Sequence, residues 1–160
     1  MRRILFNKML LAGMLMLTMV ACKKDDDEVP ANVIEDATGL KLDLTWTLTD
    51  GSTATSFVDI DVYVYRSSDL STEIAYGTQT STFEQVNLTN AILTTDGDYT
   101  VTVDYYDLNK NGNWTLTVNG LSVSKPYTIA NRAFTTAEDG QEKQVLKISK
   151  SGNKYTLTNL

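Results

Sequence analysis

The chain contains no histidine and a single cysteine, Cys22. Without histidine there is no Ser-His or Cys-His catalytic system. The two scarcities together leave no ligand set for a zinc site built from His and Cys. A lone cysteine also closes no disulfide within the chain. No Gly-x-Ser-x-Gly nucleophile elbow occurs. Prolines number only two. Beyond residue 21 no apolar run approaches the roughly 20 residues of a membrane-spanning helix. Nowhere do apolar residues recur at the 3.6-residue spacing of an amphipathic helix. Positive charge is short as well, with 14 Lys and Arg against 20 Asp and Glu. Such a chain repels phosphate backbones and anionic headgroups, which excludes nucleic acid as a partner. Carboxylates and amides are plentiful, so calcium is the metal that the composition leaves open.

One apolar run is present near the start. Residues 9–20 are almost wholly apolar, preceded by Arg2, Arg3 and Lys8 and followed by acids. That is the layout of a secretory signal rather than of a spanning helix. The run closes on Met19-Val20-Ala21-Cys22, which resembles the lipobox of bacterial lipoproteins, with Met where Leu is commoner. The resemblance implies that residues 1–21 are cleaved and that Cys22 becomes an acylated N-terminus. A single acyl chain binds a membrane only marginally, whereas two or more anchor firmly. The following Lys23-Lys24-Asp25-Asp26-Asp27-Glu28 resembles the surface-export tag of a Gram-negative group that displays lipoproteins on the outer face of the outer membrane. The same run also reads as a solvated linker, too charged to bury a core. The expected organisation is therefore a signal peptide over 1–21, the acylated cysteine and an acidic flexible linker over 22–36, and one folded domain over 37–160. Removing Arg2, Arg3 and Lys8 from the 14 basic residues leaves 11 against 20 acids, a formal charge of −9.

The body of the chain alternates with period 2, the pattern of half-buried strands. Leu40, Leu42, Leu44, Trp46 and Leu48 share one phase; Val58, Ile60, Val62 and Val64 share another. Tyr99, Val101, Val103 and Tyr105 repeat the pattern, as do Trp114, Leu116 and Val118. Strands are predicted over 39–49, 58–66, 73–77, 83–89, 98–107, 114–118, 121–129, 144–150 and 154–159. Asn111-Gly112 predicts a type I′ hairpin between the fifth and sixth of these. A polar loop is expected over 131–143, with Phe134 as its apolar anchor. Eight or nine short strands with no internal repeat predict an all-β fold: an antiparallel β-sandwich, jelly-roll-like, in one domain.

Part of this pattern resembles the bacterial pre-peptidase C-terminal domain. The resemblance rests on Leu44-Thr45-Trp46, then Asp59-Ile60-Asp61-Val62-Tyr63-Val64, then Phe83-Glu84. It continues through Gly97-Asp98-Tyr99-Thr100-Val101-Thr102-Val103 and Trp114-Thr115-Leu116-Thr117-Val118, and covers about half of the chain. It implies a non-catalytic accessory sandwich. Members of that family often accompany secreted enzymes; some bind calcium, others collagen or glycans.

Two constellations carry oxygen ligands. Asp59 and Asp61 stand two apart on one strand, so both carboxylates project from one face. Close like charges invite a cation, although a solvated outer face accounts for them equally. Asp107, Asn109 and Asn111 fit the opening of a calcium loop. The twelfth position is Val118 rather than a bidentate Glu, so a polar turn is the stronger reading there. Tyr63, Tyr65, Asp104 and Tyr106 fall on outward phases. Rings that stack on sugars beside carboxylates that take hydroxyls suit a glycan; cross-strand packing also favours tyrosine. The leading expectation is an outer-membrane, surface-exposed, non-catalytic binding module for a glycan or protein partner, attached to the membrane through its lipid. A structural envelope component is the alternative. A carboxylate-dependent glycoside hydrolase comes third.

Overall fold

The computed structural model describes residues 29–54, 57–79 and 82–160. The signal peptide, Cys22 and the acidic tag lie outside the described residues. Ten strands follow in order: β1 (Val33–Glu35), β2 (Gly39–Leu48), β3 (Val58–Arg66), β4 (Asp69–Gly77), β5 (Phe83–Thr89), β6 (Gly97–Leu108), β7 (Gly112–Gly120), β8 (Tyr127–Phe134), β9 (Glu142–Ser151) and β10 (Lys154–Asn159). They form two antiparallel sheets, one ordered β1-β10-β9-β6-β3-β4 and the other β5-β2-β7-β8. The expected all-β sandwich is what the chain adopts.

Alternation explains the packing. On β2 the five phase-sharing residues Leu40 to Leu48 are all buried, while Lys41 and Asp43 face out and pair at 2.8 Å. Trp46 lies directly across from Trp114, so both indoles enter the core from adjacent strands. The six-stranded sheet contributes Ile60, Val62, Val64, Tyr99, Val101, Val103, Leu146 and Ile148 to the same core. Each fully buried aliphatic side chain contributes about 2 kcal/mol.

Three expectations are corrected. The linker does not extend to Asp36: Val33 and Ile34 are buried, and β1 adds to the edge of β10 through Val33↔Thr156 and Glu35↔Lys154. Asn111-Gly112 makes no hairpin. β6 pairs with β3 and β9, β7 pairs with β2 and β8, so the segment arches from one sheet to the other. Neither residue has a positive φ. Gly112 is needed for a different reason: a Cβ there would lie 2.4 Å from both the Phe134 ring and the Thr47 carbonyl. Finally, the eighth strand spans Tyr127–Phe134 rather than 121–129. The amides of Ser122 and Val123 are committed to Asp36 instead of to a ladder.

Candidate functional site

Most of the residues singled out in the sequence meet on β3 and β6. Asp59 lies across from Asp107, and Asp61 across from Asp104. A bulge falls between Asp59 and Asp61, so two residues of β3 span three of β6. Bulges bend a strand and turn side chains off their regular phase. Asp61 accordingly is not on a solvated face: it is only 6% exposed. Tyr63 reaches back to it, the hydroxyl 3.4 Å from Oδ2.

A further carboxylate joins from the other sheet. Glu84 on β5 is completely buried. Its Oε1 accepts the Gln79 amide at 2.7 Å, and among the described residues its Oε2 has no hydrogen-bond partner. Asp59 Oδ1 is likewise buried and unpartnered. No Lys or Arg ion-pairs with Asp59, Asp61, Glu84 or Asp104 among the described residues. Burial first, then the neighbouring charges of Asp61 and Asp59, push the Glu84 carboxyl up to about 7. Burial, then Asp59 and Asp104, push Asp61 up to about 6. Asp59 is raised by burial and by Asp107, and Asp104 by burial and by Glu142. Protons near neutral pH are therefore how this cluster limits its repulsion.

The sequence marks Glu84 in retrospect. Glu84, Val86 and Leu88 alternate on one buried phase of β5, so an acid occupies a core position. Alternation read for apolar residues alone passes over it.

The calcium candidates do not form a cage. Among the described residues no group of three or more His, Cys, Asp and Glu is arranged to hold a metal ion. In the arch, Asn109 Nδ2 donates to Asp107 Oδ1 at 2.7 Å, while Asn111 Oδ1 accepts the Thr136 amide at 3.0 Å. Lys110 occupies the same arch, bonded to Asp50 at 2.7 Å and to Ser52 at 2.9 Å. Asp107 Oδ1 and Asn111 Oδ1 are thus engaged within the protein.

The tyrosines divide. Tyr65 is 9% exposed, lies across from Thr100, and has its pKa raised by burial and by the neighbouring Glu142; it belongs to the sheet rather than to an open platform. Tyr63 is half-buried. Its ring lies 6.4 Å from that of Tyr65 and 6.3 Å from that of Tyr76 on the edge strand β4. Tyr76, which alternation on the weak β4 segment did not single out, is 59% exposed. Tyr106 is 68% exposed, without a ring partner among the described residues. The outer surface thus presents the tilted pair Tyr63–Tyr76, with Asp61 at the Tyr63 hydroxyl.

A scan against protein-family models finds no match, and a search of curated proteins finds none. No helix among the described residues is long and apolar enough to cross a membrane.

Proposed function

We propose that the chain is a lipid-anchored module on the outer face of a bacterial outer membrane that binds a glycan without chemically altering it. The anchor rests on the lipobox-like Met19-Val20-Ala21-Cys22 and the acidic run behind it. β1 begins eleven residues after Cys22, a connection that extends at most about 40 Å. The observation that carries the binding reading is the Tyr63–Tyr76 pair on the outer face, one ring broadly exposed and carboxylates alongside. Flat rings cover the apolar face of a sugar while acids and threonines take its hydroxyls. The absence of catalysis is supported by the placement of the two carboxyls with the highest affinity for protons. Asp61 and Glu84 are both buried, and neither lines any of the five cavities described.

The test uses intact cells carrying the full chain on a glycan array, before and after protease shaving. Retention on a subset of glycans is expected, to be lost on shaving and reduced at least tenfold by Tyr76→Ala. Retention equal to that of cells without the chain, or unchanged in Tyr76→Ala, overturns the reading. A stoichiometric membrane partner captured by crosslinking, with no glycan retained, replaces it with the envelope-component role.

A further inference from the structure

The rim of the sandwich opens between β7, β8 and β9 into a cleft of about 190 Å³. Tyr105, Trp114, Arg132, Lys143, Gln144 and Asn159 supply its polar and aromatic lining. Its chemistry is the reverse of the rest of the molecule. In a chain with 20 acids against 14 bases, the lining includes two cations and no Asp or Glu side chain.

Arg132 arrives there through an irregularity of β8. Ile129 and Phe134 are both buried, yet they stand five residues apart, an odd separation that a regular strand places on opposite faces. A bulge opposite Trp114 to Leu116, with Asn131 at φ 53°, takes up the extra residue. Arg132 then shares the phase of Phe134 and sits directly across from Trp114, solvent-exposed at the rim of the cleft. It makes no ion pair among the described residues. Beneath it, Trp114 Nε1 donates to the Tyr105 hydroxyl at 2.9 Å in a buried contact. The Tyr105 O–H itself donates to no group among the described residues. Lys143 stands 5.4 Å over the Tyr105 ring and is paired with Glu138, so Arg132 is the uncompensated charge.

We propose that this cleft binds the carboxylate of a uronic-acid sugar unit. The planar guanidinium of Arg132 matches a carboxylate with two parallel hydrogen bonds. The free Tyr105 O–H and the Lys143 ammonium add donors at the same end. The amides of Gln144 and Asn159 suit ring hydroxyls, and the Trp114 indole gives the cleft an apolar wall. At about 190 Å³ the cleft falls below the roughly 300–1,000 Å³ of drug-sized sites, which fits one ring and not an oligosaccharide. This site is separate from the Tyr63–Tyr76 face and does not depend on it.

The chain has two tryptophans, so Trp46→Phe leaves Trp114 as sole reporter. The full chain in detergent micelles is titrated with glucuronate, glucose and acetate while Trp114 emission is followed. Glucuronate is expected to give a saturable change, with glucose and acetate at least tenfold weaker. Arg132→Gln is expected to weaken glucuronate at least tenfold, and Tyr76→Ala to leave it unchanged. Should Trp46→Phe unfold, the Trp114 indole resonance in a ¹⁵N spectrum of the wild type carries the same reading. Equal responses to glucuronate and glucose, acetate matching glucuronate, or an unaltered Arg132→Gln titration each overturn the proposal.

Discussion

Asp36 and Glu84 are both nearly inaccessible to solvent, one at 2% exposure and the other at 0%, and their carboxyls shift in opposite directions. Asp36 receives five hydrogen bonds. Its Oδ1 takes the Thr38 amide at 2.7 Å, the Thr38 hydroxyl at 2.6 Å and the Ser122 hydroxyl at 2.9 Å; its Oδ2 takes the amides of Ser122 at 2.6 Å and Val123 at 2.9 Å. Burial raises its pKa, but the bonds from Thr38 and Ser122 outweigh burial and hold the carboxyl well below the usual range. Among the described residues Glu84 receives one amide, whose lowering effect is outweighed by burial and by two neighbouring carboxylates. Depth does not decide the charge of a buried acid. The number of donors aimed at it does.

The difference has architectural roots. Asp36 ties the turn between β1 and β2 to the loop after β7, joining segments 86 residues apart. Gly120 makes room for it, since a Cβ there would lie 2.4 Å from Asp36 Oδ2. Glu84 stands at the seam where β4 leaves one sheet and β5 enters the other, with the Gln79 amide as its one hydrogen-bond donor among the described residues.

The largest expected effect belongs to Asp36→Ala. It strands three part-buried amides and two hydroxyls and should cost about 3 kcal/mol, measured by urea denaturation at pH 7. A loss below about 1 kcal/mol would contradict the latch. Glu84→Gln comes next, with the opposite sign. It removes a buried charge at alkaline pH and should stabilise the protein there by up to about 3 kcal/mol, while changing little at pH 5. The smallest is Thr38→Ala, which removes one of the five bonds to Asp36 and should cost about 1 kcal/mol. Nuclear magnetic resonance titration of the Asp36 carboxyl should then show its pKa moving upward toward the ordinary value.

Much of the fold was legible because period 2 is a strong signal in long strands. β3, β5 and β10 begin and end where alternation places them, and the buried phases of β2, β6 and β7 follow the sequence pattern. The sheet to which each strand belongs was not legible, since alternation reports which face is buried and not which neighbour pairs. That is why a hairpin at Asn111-Gly112 became an arch. β1 escaped because three residues show no period. The burial of Asp36 depends on donors 86 residues away, beyond any local pattern. At the candidate site, Asp59, Asp61, Asp104 and Asp107 were chosen separately and the bulged β3–β6 register brought them together. Tyr65 was misplaced because alternation names a face without showing how much of it the fold covers, and there the residue is only 9% exposed. Arg132 was lost where the β8 bulge breaks the phase.

The two acids act on opposite sides of the pH scale. The folded pKa of Asp36 is depressed, so its contribution is present above its unfolded value of about 4 and fades as pH falls below that. The folded pKa of Glu84 is raised to about 7, so its contribution is complete below about 4.5 and is lost as pH rises through 7. Both are whole only near pH 4–5, more acidic than the usual range of maximal stability. The most direct test is the urea midpoint of the wild type and of Glu84→Gln at pH 5 and pH 8.5. The account predicts a wild type markedly weaker at pH 8.5 and a variant whose midpoint falls much less between the two. Parallel losses in both proteins would contradict it.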